Sequence, residues 1–307
     1  MARKRPPTAM YFTSIAVTGD DFAILGGHLY SEEQDPSVTR MVLFNQGKDF
    51  FLYDIDDLVY AIERKPAAPG KPRDTICMMG RTGKYREHAP GEKPLDAQID
   101  LKAEGFLLNL RYIGKHLYAC GHQNIVYRQD GQRWVRADQG AFKPRKNAVD
   151  RSFEAIHGFS EDDIFAVGEG GAIWHWDGKK WKQLDSPTNY NLYAVLCTTG
   201  GDVYVAGGGG LVFKGGLKGW TEISDTAVTD ETIWDMIEFQ GKVYLAANDK
   251  LLATDGGPVT EVKVPLKGSK SFLTLDANAR QLWTAGDDNI FQFDGKKWVR
   301  HVFGDNI

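Results

Sequence analysis

The sequence predicts an all-β fold, a β-propeller of seven four-stranded blades with six as the alternative count, and three observations carry that prediction. An apolar run ending in glycine or alanine recurs in five copies, an Asp-Gly pair follows it in four of them, and a tryptophan opens the next strand in four. The copies are "HLYACGHQNIVYRQDGQRWVRAD" from His116, "DIFAVGEGGAIWHWDGKKWKQLD" from Asp163, "DVYVAGGGGLVFKGGLKGWTEIS" from Asp202, "KVYLAANDKLLATDGGPVTEVKV" from Lys242 and "QLWTAGDDNIFQFDGKKWVRHVF" from Gln281. Their starts lie about 40 residues apart, the length of one four-stranded blade.

Each unit reads as strands a, b, c and d in order. Strand a is a short apolar run: "FEAIHGF" at 153, "LYAVLCT" at 192, "IWDMIEF" at 233 and "FLTLDAN" at 272. Strand b ends in Gly or Ala. A tight turn leads to strand c, and in "GEGGAIWHW" Gly168 to Gly171 are expected to supply the positive φ that other residues adopt only at a cost. Alternation places Ile173 and His175 on one face of strand c, and Trp174 and Trp176 on the other. Asp130-Gly131, Asp177-Gly178, Asp255-Gly256 and Asp294-Gly295 are two-residue hairpin signals. Trp134, Trp181, Trp220 and Trp298 then open strand d, where a large ring fills the gap between wedge-shaped blades.

The whole chain of 307 residues is expected to form a single domain. Blades 3 to 7 occupy about 106–307 and blades 1 and 2 fall irregularly within about 8–105. "DFAILGGHLYSEE" from Asp21 and "TICMMGRTGKYRE" from Thr75 mark those first two, between insertions rich in Pro, Gly and charge: "SEEQDPSVTR", "ERKPAAPGKPR" and "EHAPGEKP". "YDIDD" at 53–57 lacks the ligand spacing of a calcium loop and reads as a solvated strand end.

Bulk composition agrees. Gly numbers 34, aromatics make 12%, and the net charge is -4. Neither sign of charge is in large excess, which argues against a nucleic-acid or anionic-membrane surface. Cys77, Cys120 and Cys197 are widely spaced and read as small buried hydrophobes. No apolar leader segment follows the basic start, so the expectation is a cytoplasmic, monomeric propeller.

The units "IFAVGEGGAIWHWDGKKW" and "LWTAGDDNIFQFDGKKW" resemble the bacterial propellers of the broad YVTN/BNR class, which includes sialidase-like and photosystem assembly-factor propellers. The resemblance implies architecture and no particular activity, because one propeller hosts many functions. The Ser and Thr of the sialidase Asp-box are absent around the Asp-Gly turns, and so is the arginine-bearing "RIP" segment.

Glycine runs at Gly168 and Gly207 lead into strands and not into a helix N-terminus, so they are turns and not phosphate cradles. No catalytic, cofactor or metal site is assigned from the residues: the seven histidines have no ligand-spaced partner, and nucleophile-elbow and HExxH motifs are missing. Topology offers a better lead. The d-to-a and b-to-c loops surround one mouth of the channel, and from them His122, Lys143, Arg145, Arg151, Glu169, Tyr190, Asn191, Asp230, Glu231, Asp287 and Asp288 are expected to meet a partner. That partner is expected to be another protein. The reading is a non-enzymatic binding propeller, in one version an immunity protein that neutralises a bacterial toxin. Two alternatives stand beside it: a hydrolase or lyase on a carbohydrate-like substrate at the mouth, and a lectin-like binder using Tyr190 and Phe142.

Overall fold

The computed structural model describes residues 9–32, 37–45, 48–67, 69–70, 74–89, 91–102, 105–142, 151–265, 270–287 and 289–303. These form seven antiparallel sheets, each built from four consecutive strands. Blade 1 is β1 to β4 (Met10–Gly19, Phe22–Leu29, Thr39–Asn45, Lys48–Ile55) and blade 2 is β5 to β8 (Val59–Lys65, Thr75–Gly80, Lys84–His88, Leu95–Gln98). Blade 3 is β9 to β12 (Leu107–Ile113, His116–Gly121, Val126–Asp130, Arg133–Arg136) and blade 4 is β13 to β16 (Phe153–Ser160, Asp163–Gly168, Ile173–Trp176, Trp181–Gln183). Blade 5 is β17 to β20 (Leu192–Cys197, Val203–Gly207, Val212–Gly216, Gly219–Glu222). Blade 6 is β21 to β24 (Asp235–Phe239, Lys242–Ala247, Lys250–Thr254, Thr260–Glu261), and blade 7 is β25 to β28 (Thr274–Ala277, Leu282–Ala285, Ile290–Phe293, Trp298–His301).

Each first strand touches the first strands of both neighbouring blades, so β1, β5, β9, β13, β17, β21 and β25 ring a central channel. The count is seven, and the six-bladed alternative falls. The first two blades are complete despite their insertions. "SEEQDPSVTR" joins β2 to β3, "ERKPAAPGKPR" joins β5 to β6, and "EHAPGEKP" joins β7 to β8.

The core is divided into seven apolar clusters, one at each blade-to-blade join. Alternation on strand c explains the division: Ile173 packs toward blade 5, whereas Trp174 and Trp176 pack toward blade 3. The strand-d tryptophans do the expected work. Trp181 joins the blade 3–4 cluster and donates its indole N–H to the Ala137 carbonyl at 2.8 Å, and Trp298 stacks on Phe293 at the blade 6–7 join. Cys77, Cys120 and Cys197 are free and buried within these joins, and burial pushes all three thiols above their ordinary pKa.

Among the described residues, the last sheet is built from β25 to β28 alone. Blade 7 meets blade 1 as one wedge meets another, through Met10, Phe12, Phe44, Trp283, Ile290 and Phe303. Hydrogen bonds tie β1 to blade 7 across this seam: Phe12 N–H donates to the Gly286 carbonyl at 2.9 Å, and Val17 N–H to Asp276 Oδ2 at 2.6 Å.

Two sequence expectations need correction. Gly168 has a φ of -175°, an extended value open to any residue, and positive φ belongs to Gly170 and Gly171 instead. Gly168 is required for a different reason. A Cβ there would lie 1.7 Å from the Ser152 carbonyl oxygen, where the chain enters strand a. The same close approach recurs at Gly27, Gly121, Gly207 and Gly286, which explains the glycine that closes strand b. The "YDIDD" stretch is also not solvated throughout. Asp54 and Asp56 are exposed, but Asp57 is buried, and its carboxylate accepts from Leu58 N–H at 2.8 Å and Thr82 Oγ1 at 2.6 Å.

Candidate functional site

In five of the seven blades the first strand is interrupted at the same place. In blades 1 to 5 two residues of strand a oppose one of strand b, leaving Thr13, Tyr60, Leu108, Glu154 and Tyr193 unpaired. Trp234 and Leu273 occupy that place in blades 6 and 7, just ahead of Asp235 and Thr274. Such a bulge bends the strand and re-aims one side chain. Here Thr13, Tyr60, Tyr193, Trp234 and Leu273 line the channel where the strands enter it from the d-to-a loops. Tyr60 and Trp234 are each 40% exposed, and the Tyr193 and Trp234 rings lie 5.0 Å apart.

The cavity that these residues line has a volume of about 110 Å³. Glu63, Asp235 and Asp276 line it together with Arg111. Arg111 Nη1 lies 3.5 Å from Glu63 Oε2 and Nη2 lies 3.9 Å from Asp235 Oδ1. Arg64 approaches from the side, its Nε 3.2 Å from Asp276 Oδ2. Burial raises the pKa of Glu63 and Asp235 above the ordinary carboxyl range, and Arg111 offsets that only in part. Close by, burial and the Arg111 charge push His157 down to about 3, so its neutral Nδ1 accepts the Cys197 N–H at 3.2 Å.

On the rim, the loops bring several of the sequence-selected residues together. Asn191 bridges two blades: its Oδ1 accepts Gly170 N–H at 2.9 Å, and its Nδ2 donates to the Tyr193 hydroxyl at 3.3 Å. Glu231 accepts from Asn248 Nδ2 at 2.6 Å, while Asn248 Oδ1 accepts the Trp234 indole N–H at 2.9 Å. Tyr190 is 55% exposed and lies over the Gly208-Gly209 turn. Arg151 and Glu169 share a groove with Asn124 between blades 3 and 4. His122 sits in its b-to-c turn with its ring against Phe106, over which the Arg81 guanidinium lies at 4.8 Å. Asp230 and Asp287 are exposed. Lys143, Arg145 and Asp288 lie outside the described residues. Phe142 is no open platform, since the Arg136 guanidinium covers its ring at 4.3 Å.

No family model matches the chain. It is 33% identical over 229 residues to the immune protein Tsi7 of Pseudomonas aeruginosa, across 74% of this chain and 73% of that one. The chain belongs to the Tsi7 family. Two solved propellers share its architecture: YCF48 bound to D1 peptide, with a TM-score of 0.68 at 14% identity over 98% of this chain and 96% of that one, and the WD40 propeller domain of Doa1, with 0.69 at 11% over 95% of each. At such identities the likeness speaks to fold alone.

In this member of the Tsi7 family, the described residues selected from the sequence lie on the loops of the rim, and the ring inside it is not among them. Tyr193 and Trp234 stand within runs that read as strand a, Tyr60 lies in a stretch given no strand, and the bulge at Tyr60 and Tyr193 is a property of the pairing with strand b. One signal was available. Glycine ends strand b where strand a makes its close approach, and the bulge residue lies beside that contact, as Glu154 does beside Gly168.

Proposed function

We propose that this chain is an immunity protein, a non-enzymatic binder that neutralises a toxin by holding it against the channel mouth in the cytosol. The relative that shares most of its length is named an immune protein. The observation that carries the site is the aromatic ring of Tyr60, Tyr193 and Trp234, rimmed by Tyr190, Asn191 and Glu231. Aromatic side chains that are partly exposed give large contact area, and hydrogen bonds to Tyr193 and Trp234 limit the freedom those two lose on binding, the makeup of interface anchors. The hydrolase reading fits less well. A cavity of about 110 Å³ is smaller than the ~300–1,000 Å³ of ordinary ligand sites, and its carboxylates are engaged with arginines. The glycine closing strand b and the Asp-Gly turn before strand d support placing the blades in the YVTN/BNR class.

The test is co-expression with toxins encoded beside its gene. Growth restored together with a stoichiometric complex on size exclusion is the expected result; growth restored with no complex, or no restoration, overturns the reading. Within such a complex, Trp234→Ala is expected to weaken binding by about 2 kcal/mol or more, the scale of an interface hot spot.

A further inference from the structure

Resting on the immunity reading, we infer that the channel is a socket for one basic side chain of the partner, an arginine or lysine passing through the aromatic ring to the carboxylates below. Three features converge on that chemistry. Glu63, Asp235 and Asp276 face the cavity against Arg111, with Arg64 beside Asp276, so carboxylates outnumber arginines three to two. Backbone N–H groups of Arg64, Met236 and Leu275 already donate to Glu63 and Asp235, but the Arg111 contacts at 3.5 and 3.9 Å are long for charge-assisted hydrogen bonds, which run about 2.7–2.9 Å, so Glu63 Oε2 has room for a second cationic donor. Ser14, 2% exposed, lines the same cavity with its Oγ unbonded, and the buried Asn109 Oδ1 there also lacks a partner. An Asn oxygen can only accept, so a guanidinium or ammonium supplies what it lacks.

The entrance suits the same guest. Tyr60, Tyr193 and Trp234 line the mouth, and a cation passing over an aromatic face is attracted by its quadrupole, most strongly by that of Trp. An anionic guest would meet three carboxylates for two arginines. Size agrees as well: about 110 Å³ is well below the ~300–1,000 Å³ of ordinary small-molecule sites, which suits a single side chain better than a separate ligand. A buried carboxylate that lacks a full counter-charge is costly, and the entering cation removes that cost.

The full chain labelled with 5-fluorotryptophan reports on the socket by fluorine NMR, Trp234→Phe identifying the Trp234 signal. Titration with N-acetyl-argininamide is expected to shift that signal saturably, and N-acetyl-glutamate to leave it in place. Asp235→Asn and Glu63→Gln should each weaken arginine binding at least tenfold. Tyr60→Leu, which touches no buried charge, should weaken it several-fold and keeps the test decisive if either carboxylate variant unfolds. No saturable shift, an equal response to glutamate, or unchanged affinity in the folded variants would overturn the socket. The two readings fail separately: growth protection without arginine binding removes the socket alone, and arginine binding without protection removes the immunity role alone.

Discussion

Single residues here carry costs that their local conformation does not reveal. Gly168 adopts an ordinary extended backbone, yet Ala at this place puts a methyl carbon into the Ser152 carbonyl oxygen, so strand a must move. Gly168→Ala is expected to lower stability by about 1–3 kcal/mol or more, as overpacking does. Gly131→Ala, with φ 60° and open space around it, should cost only the left-handed strain of about 1 kcal/mol. Urea midpoints of the two variants decide, and the reverse order would refute the close-approach account. His157 gives a second residue-scale prediction through its charge. Its folded pKa of about 3 lies below the ordinary 6.5, so the unfolded chain takes up the proton first. The stability it contributes is complete above pH 6.5 and falls as the pH drops from there toward 3. Glu63 and Asp235 act in the opposite sense: with raised folded values they favour the fold at acid pH, and that contribution is lost as the pH rises through those values. Comparing His157→Gln with the parent removes the carboxylate part. Between pH 7 and pH 5 the parent should lose about 2 kcal/mol more than the variant in urea unfolding.

At the scale of the strand, the bulge decides which side chains reach the channel. Strand side chains alternate with a period of two, so one inserted residue before Ala61 sets the faces of everything beyond it. Deleting Tyr60 would turn Ile62 out of the blade 1–2 cluster, a loss of about 2–5 kcal/mol by itself. Tyr60→Gly keeps the register and should cost about 1 kcal/mol. Thermal unfolding separates the pair, and equal midpoints would mean that the register tolerates slippage. The same feature explains what was legible beforehand. Blades 3 to 7 were readable because their glycines, Asp-Gly turns and strand-d aromatics recur along the chain, each with a local physical role. Blades 1 and 2 have no Asp-Gly turn before strand d and no tryptophan there, and insertions stretch their spacing, so only their apolar b strands stood out. Asp57 looked solvated in a run of acids, because its donors, Leu58 N–H and the N–H and hydroxyl of Thr82, belong to a loop and to the next blade. Tyr193 and Trp234 read as core because pairing between strands leaves no trace in a single strand.

At the scale of the whole ring, the question is whether the seam between blades 7 and 1 is a weak point. An open array of repeats frays from its ends, because terminal units have one neighbour. Here blade 1 lies against blade 7 through a cluster as buried as the other six, with Phe12, Phe44, Trp283 and Ile290 wholly inaccessible. Polar contacts reinforce it. Gln281 Oε1 accepts Asp21 N–H at 2.9 Å, and Gln281 Nε2 donates to Asp21 Oδ1 at 3.0 Å. Opening the seam would expose all of these at once, so it should cost as much as unfolding the molecule. Native-state hydrogen exchange is the measurement: amides of β2 and β26 are expected to exchange with the same free energy as those of β14, on the far side of the ring. Trp283→Ala, losing about 3–5 kcal/mol by large-to-small replacement, should lower all three together. If β2 and β26 alone lose protection while β14 keeps its own, the seam opens by itself, and the ring behaves as a bent array whose two ends happen to touch.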